Sequence, residues 1–272
     1  MSTFDQAQFT RTVADDFNTR QRARSYAMFS NGNAMAAYRS LEKSLGHPDV
    51  QSLGLGERQT LPMSIVFLDL TDFTGRTFWD DQDDVVDLAH AVLSGFIETV
   101  TQFGGHALGL RGDGLFAGFG GPPELSAALA LGACAFALDA VENGVNPWLD
   151  SKGMEHVQAR AGADAGPITF IRTGSEAHSE INALGFAANF AAKCEKVADS
   201  WEVVVGQGLR RALPTNLEFS THPKSPKEYR RRERREYYHF YDFRWRRALA
   251  HLGKVPEELG GVPSSNVLGR KS

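Results

Sequence analysis

Two aspartates in this sequence stand where the chain could bring their carboxylates together. Asp69 follows Ser64-Ile65-Val66-Phe67-Leu68, a short apolar, β-branched run that reads as a buried strand. Asp113 lies between Gly112 and Gly114, at the tip of a hairpin with arms Ala107 to Arg111 and Leu115 to Phe119. Carboxylates at the ends of neighbouring strands repel unless a cation sits between them. All-oxygen donors of this kind suit Mg²⁺ or Mn²⁺, which bind through one or two carboxylates plus substrate phosphates. Two such ions in one site would activate an attacking oxygen and steady departing phosphates. Taken singly, Asp69 reads better as a loop cap and Asp113 as an ordinary turn residue. The company each keeps has to decide.

The elements that must position them alternate between strand and helix. After the first strand, Val85, Ala89, Val92, Leu93, Phe96, Ile97 and Val100 recur at helical spacing, and Gly104-Gly105 ends that helix. The Asp113 hairpin follows, then an Ala- and Leu-rich helix from Glu124 to Val141, apolar on most faces and therefore expected to be buried. Val157 to Ala163 and Pro167 to Thr173 read as a second hairpin around Asp164-Ala165-Gly166. Phe186 to Val197 reads as a helix, and Val203 to Val205 and Tyr237 to Phe243 as further strands. Crossover helices mixed with tight hairpins predict an α+β fold of ferredoxin-like type, with helices on a mixed or antiparallel sheet. Residues 1–60, polar with scattered Phe4, Phe9, Val13, Phe17, Met35, Tyr38 and Leu41, read as a helical extension. Residues 61–245 form the expected main domain, and 246–272 a tail.

With 272 residues and 42% hydrophobic content, the chain can bury one large core plus a small addition. Cys134 and Cys194 lie in apolar helical segments and read as reduced core thiols. No apolar run approaches the roughly 20 residues of a bilayer span. The charged N-terminus lacks a signal-peptide stretch, so the expectation is a cytoplasmic protein with no membrane partner. A net charge of −4 gives no global case for nucleic acid, although ten Lys and Arg residues crowd between Lys224 and Arg247. Such runs are usually solvated faces; the functional reading is that one or two of these cations, between Lys224 and Arg235, meet a polyphosphate.

Four blocks carry a resemblance. Phe67-Leu68-Asp69-Leu70-Thr71-Asp72-Phe73-Thr74 resembles the first signature of class III adenylate and guanylate cyclases, F-x-D-x-x-G-F-T. Gly104-Gly105-His106 through Gly112-Asp113-Gly114 to Phe119 resembles the second. Arg160-Ala161-Gly162-Ala163-Asp164-Ala165-Gly166 is similar to the third, R-x-G-I-x-x-G, and Gly185 to Lys193 to the fourth, G-x-x-V-N-x-A-x-R. They come in family order and cover roughly residues 63–199. The resemblance implies a nucleotide cyclase with Asp69 and Asp113 as metal carboxylates and the Leu70 carbonyl as an added ligand. It implies amides near Phe73 and Thr74 that hold the triphosphate, and Asn189 orienting the ribose. Lys193 stands where the family has an arginine that steadies the transition state; lysine keeps the charge but loses the fork. A homodimer with composite sites is also implied.

The base is marked at two positions in the purine enzymes, and neither mark is present. Four residues before Asp113 stands Gly109, and seven before Asn189 stands Asn182. Gly109, Arg111 and Asp113 should share a strand face, so Gly109 removes bulk while Arg111 adds it beside the pocket. A one-ring base would leave room for that guanidinium, whose donors suit the carbonyl oxygens of uracil. UTP is therefore favoured over CTP, and a surface salt bridge or a dimer contact remains the other account of Arg111. The altered base positions, the size and the lack of a fused receptor module resemble the pyrimidine cyclases of bacterial Pycsar anti-phage systems. Two other readings stay open: a divergent adenylate cyclase, and a silent cyclase-like module that only binds a nucleotide.

Overall fold

A computed structural model describes residues 6–29, 45–214 and 219–252. Phe4, Met35, Tyr38 and Leu41 of the expected N-terminal extension, and 253–272 of the tail, lie outside the described residues. The centre is one long antiparallel pair: β1 (Arg58–Thr71) runs against β4 (Gln158–Gly174), from Arg58 opposite Ile171 to Thr71 opposite Gln158. Around it the sheet takes the order β2-β3-β1-β4-β6-β10-β7, with β5 (Ser179–Leu184) paired to the far half of β4. β2 (His106–Arg111) and β3 (Gly114–Phe119) form the expected hairpin. β6 (Val203–Gly206) joins β4 in parallel; β7 (Phe219–Thr221) and β10 (Phe240–Phe243) complete the antiparallel edge.

Alternation along β1 sorts the two faces. Val66, Leu68 and Leu70 point into the main core beneath α3 (Gln82–Gln102) and α4 (Pro123–Ala140). Met63, Ile65 and Phe67 point the other way, towards α6 (Phe186–Val197). Asp69 continues that second series. α3 starts cleanly because Asp81 accepts from the Asp83 and Asp84 amides, satisfying donors the helix cannot. α1 (Gln6–Phe29) packs Phe9, Val13 and Phe17 into the same core and ties Gln8 and Thr12 to Glu98 of α3.

Two expectations require correction. The hairpin at Asp164-Ala165-Gly166 does not exist; those residues lie mid-strand in β4, opposite Ile65, Ser64 and Met63. Asp164 imitates a turn residue but is fully buried, accepting from the Leu209 amide at 3.1 Å and the Tyr238 hydroxyl at 3.0 Å. Pro62 and Pro167 look like breaks but face each other across the ladder, where their missing N–H groups cost no pair bond. Pro167 also falls between the stretches of β4 paired to β6 and to β5. The true turn lies later, between Gly174 and Ser179, and it adds the strand β5 that periodicity missed. Second, the stretch Pro123–Ser151, which runs through α4, a π-helical turn (Val141–Val145) and α5 (Asn146–Ser151), is long and apolar enough to cross a membrane by composition. Its most apolar window is 72% buried inside the fold, so its apolarity is that of a core helix. Cys134 and Cys194 are buried and free, as expected.

Candidate active site

Asp69 is held by Arg160, its direct partner across the β1–β4 ladder. The guanidinium donates to Asp69 Oδ2 from Nη2 at 2.8 Å and from Nε at 3.2 Å. The same Nη2 lies 2.5 Å from Oε1 of Glu195 on α6, close in charge contact but without hydrogen-bond alignment. Nη1 donates to the Ala198 carbonyl at 3.3 Å. The sequence did not single out Arg160 or Glu195, although Arg160 opens the third signature block.

Asp113 reaches this group through the β2–β3 turn. Gly112 has φ +62, which glycine adopts freely. A Cβ on Gly114 would lie 3.0 Å from Asp69 Oδ1 and 3.3 Å from the Leu68 carbonyl, so any other residue would make Asp69 or the turn give way by a few tenths of an ångström. Burial raises the Asp113 carboxyl pKa, and the Asp69 charge raises it further, against smaller opposing effects of its own amide and Arg160. Glu195 is pushed up to about 7 by burial, with Asp69 adding to the rise and Arg160 opposing it. Three carboxylates thus surround one guanidinium, and positive charge is short. An all-oxygen donor set with that deficit fits a hard divalent cation.

The expected flanking residues fall into three places. Phe73 begins the short helix α2 (Phe73–Trp79) and buries its ring. Asp72, where the resembling signature has glycine, takes φ 56 and makes no side-chain cap, leaving the first amides near Phe73 and Thr74 uncapped by it. The Leu70 side chain is buried in the core, so only its main chain could serve the site. Gly109, Arg111 and Asn182 line a single cavity of about 460 Å³, together with Phe116, Arg172 and Glu180. A Cβ on Gly109 would sit 3.7 Å from Arg111 Nη1, so the arginine borders the space that the glycine leaves. The segment Leu45 to Gln51 closes one side of this cavity, a contribution periodicity had not signalled. Arg172 ties it down by donating to the Gln51 carbonyl at 2.7 Å and to the Leu53 carbonyl.

Asn189 and Lys193 lie one helical turn apart on the exposed side of α6. Among the described residues, no hydrogen bond or ion pair joins either to Asp69 or Asp113. The buried side of the same helix carries Glu195. Gly162 explains how close that side comes: a Cβ there would lie 2.0 Å from the Glu195 nitrogen and 2.4 Å from the Ala191 carbonyl.

No protein-family model matches the sequence. A cytidylate cyclase of Escherichia coli is 25% identical over 178 residues, covering 61% of this chain and 38% of that protein. A terminal-differentiation-specific adenylate cyclase of Dictyostelium discoideum is 24% identical, over 62% of this chain and 8% of its own length. The chain therefore spans well under half of either relative. Among solved structures, the adenylyl cyclase CyaB from P. aeruginosa superposes with a TM-score of 0.60 at 16% identity, over 68% of this chain and 95% of that one. The guanylyl cyclase Cya2 gives 0.57 at 19%, over 70% and 93%. A class III adenylyl cyclase-like ATP-binding protein from Pseudomonas aeruginosa gives 0.57 at 22%, over 64% and 39%.

This is the fold of a class III nucleotide cyclase domain.

Within this fold, a second acidic group lies among the later strands of the sheet. Glu202, His222 and Asp242 bring their side-chain donor atoms within 4.8 Å of one another beside β6, β7 and β10. His222 is buried, and its Nδ1 accepts from the Lys224 amide at 3.1 Å. The neutral ring therefore carries its proton on Nε2, the nitrogen facing Asp242 Oδ1 at 3.8 Å, and that tautomer offers no lone pair to a metal. The arginine-rich run forms a separate two-stranded hairpin, β8 (Lys227–Arg231) and β9 (Arg234–Tyr238), with Arg230 to Arg235 exposed. Tyr229 and Tyr238 anchor it edge-on to Phe186 of α6.

Proposed function

We propose that this domain closes a pyrimidine nucleoside triphosphate into its 3′,5′-cyclic monophosphate and releases pyrophosphate. The observation that carries the reading is the convergence of Asp69 and Asp113 beside Arg160, with charge that one guanidinium does not balance. The ribose 3′-oxygen forms a bond to the α-phosphorus as the bond to pyrophosphate breaks, and the 3′ proton passes to Asp69 or to solvent. Asp69, Asp113 and the Leu70 carbonyl would hold two Mg²⁺ or Mn²⁺ ions, which supply the charge that activates the 3′-oxygen and steadies the departing phosphates. The chain's own part is positioning and charge placement, the main sources of acceleration in phosphoryl chemistry.

The outward aim of Asn189 and Lys193 supports a homodimer in which these residues of one copy complete the site of the other. There Asn189 orients the ribose and Lys193 faces the developing phosphate charge. Amides near Phe73 and Thr74, with a cation of the β8–β9 hairpin, take the triphosphate.

The cavity holding Gly109, Arg111 and Asn182 receives the base. The donors of Arg111 favour UTP, since uracil offers two carbonyl oxygens. A second reading, CTP, is favoured by Glu180 in the same cavity, whose carboxylate can accept from the cytosine amine, and by the cytidylate cyclase relative. A cytoplasmic anti-phage role rests on the likeness to Pycsar cyclases.

Incubation of the protein with ATP, GTP, CTP and UTP in Mn²⁺, read by product mass, tests the proposal. Cyclic UMP or cyclic CMP, absent in Asp69→Ala and Asp113→Ala, is expected. With Arg111→Ala, pyrimidine turnover should fall about 10- to 100-fold, the range for a lost polar specificity contact. Cyclic AMP as the main product would sink the base assignment, and no product from any nucleotide would favour a module that only binds.

A further inference from the structure

Arg160 is shared by two carboxylates through one nitrogen. Its Nη2 lies 2.8 Å from Asp69 and 2.5 Å from Glu195. If the guanidinium served only to neutralise Asp69, a second, buried carboxylate at the same nitrogen would be a cost. Two acids brought together repel, and each loses water. The backbone nevertheless goes to some length to put Glu195 there. Gly162 lies two residues from Arg160 on the same face of β4, and it lets the α6 main chain approach at Glu195 as no other residue would. Glu195 itself is 8% exposed. A simple tie between helix and sheet would not need to contact the one cation that also holds Asp69.

We propose that Glu195 is a positioning residue for the metal centre: it holds Arg160 from the α6 side, so that Asp69 keeps acceptor capacity for a divalent cation. The inference rests on the reading of Asp69 and Asp113 as metal carboxylates. With Glu195 in place, Nε and Nη2 both converge on one oxygen of Asp69, Oδ2; without Glu195 the fork is free to spread over both oxygens. A bidentate arginine–carboxylate pair of that kind is strong and geometrically fixed, and an incoming ion would have to break it. With Glu195 present, Arg160 retains a partner when Asp69 turns to the ion. The carboxylate of Glu195 also leaves the cluster with the charge deficit that one divalent ion cancels. Arg160 is further steadied by the Ala198 carbonyl just beyond α6, so the guanidinium has an anchor on that side.

The test is Mn²⁺ binding to the nucleotide-free protein, followed by electron paramagnetic resonance of the free ion. Four proteins are compared: wild type, Glu195→Gln, Glu195→Asp and Asp69→Asn. Glu195→Gln keeps the shape and removes the charge. Its Mn²⁺ dissociation constant should rise about 10-fold, with Glu195→Asp in between, because a shorter carboxylate reaches Arg160 less well. In turnover, the Mn²⁺ concentration for half-maximal rate should rise by the same factor, while KM for the nucleotide at saturating Mn²⁺ stays within about twofold. Glu202→Gln, the same charge change in the other acidic group, should leave Mn²⁺ affinity as in wild type. Wild-type Mn²⁺ affinity in Glu195→Gln, whatever its melting temperature, overturns the proposal and leaves Glu195 a structural tie. Mn²⁺ binding that Asp69→Asn does not weaken overturns the metal-centre reading, and this inference with it. Should Glu195→Gln fail to fold, Glu195→Asp alone decides, since unchanged affinity there has the same meaning.

Discussion

Two acidic groups of this domain share one sheet and differ in how their charge is answered. In one, Asp69, Asp113 and Glu195 surround Arg160, and burial, with the Asp69 charge adding to it, raises Asp113 and Glu195. In the other, a buried histidine lies with Glu202 and Asp242, its Nε2 3.8 Å from Asp242 Oδ1. By proximity alone, the second group looks the better metal site. Proton placement reverses that ranking, because a ring nitrogen that accepts from an amide fixes the proton on the other nitrogen. The first group offers only oxygens to a cation; in the second, the ring must first give up its Nε2 proton. A list of nearby acids does not distinguish a binding site from a structural knot, whereas the balance of charge and hydrogen bonds does.

The comparison can be broken most directly at the carboxylates. Asp69→Asn and Asp113→Asn should each lower cyclic nucleotide formation on the order of 10³-fold, as expected when charge placement at a phosphoryl centre is lost. Asp242→Asn should stay within about threefold of wild type in the same product assay. Equal losses in both groups would mean that the charge argument has picked the wrong group, or that both serve catalysis.

Gly114→Ala should lower turnover about 10-fold with a circular dichroism spectrum like that of wild type. The added methyl meets Asp69 Oδ1 and two carbonyl oxygens, and the turn must back away from the site. His222→Ala should do the opposite. It removes the acceptor of the Lys224 amide and the partner of Asp242, costing about 1–3 kcal/mol of stability in chemical denaturation while turnover is kept.

The smallest effect concerns pH. The Asp113 pKa is raised in the folded protein, so its contribution to stability is fully present below the unfolded value of 3.8 and is lost as pH rises through the folded value. Metal-free Asp113→Asn should therefore melt about 2 °C above wild type at pH 7, with a flatter melting profile upward from pH 4. Mn²⁺ should raise the wild-type melting point and leave that of the variant nearly unchanged. A variant that melts lower at pH 7 would show that Asp113 is not held against repulsion.

Much of the site was legible in local sequence because its chemistry is built on tight turns. Gly112-Asp113-Gly114 announced its hairpin, and the apolar run before Asp69 announced its strand. Gly109 and Arg111, two apart on β2, do border one cavity. What misled was the middle of β4, where Asp164, Gly166 and Pro167 imitate a turn. Asp164 answers to Leu209 and Tyr238, which lie 45 and 74 residues away in the chain, and no local pattern reports such partners. Arg160 and Glu195 escaped notice for the same reason. Each reads as an ordinary surface charge until β4 and α6 are packed together at Gly162.

The sequence by itself determined the alternation of strands and helices, the two aspartates and the glycines beside them. Those features depend on periodicity and on backbone torsions, which neighbouring residues set. Only the tertiary structure decided which charges meet: Arg160 between Asp69 and Glu195, Glu180 and the Leu45 to Gln51 segment at the cavity, and the buried histidine beside Glu202 and Asp242. Electrostatic and hydrogen-bond partners are fixed by distances of a few ångströms between residues remote in sequence, and those distances come into being only when the sheet and α6 are packed.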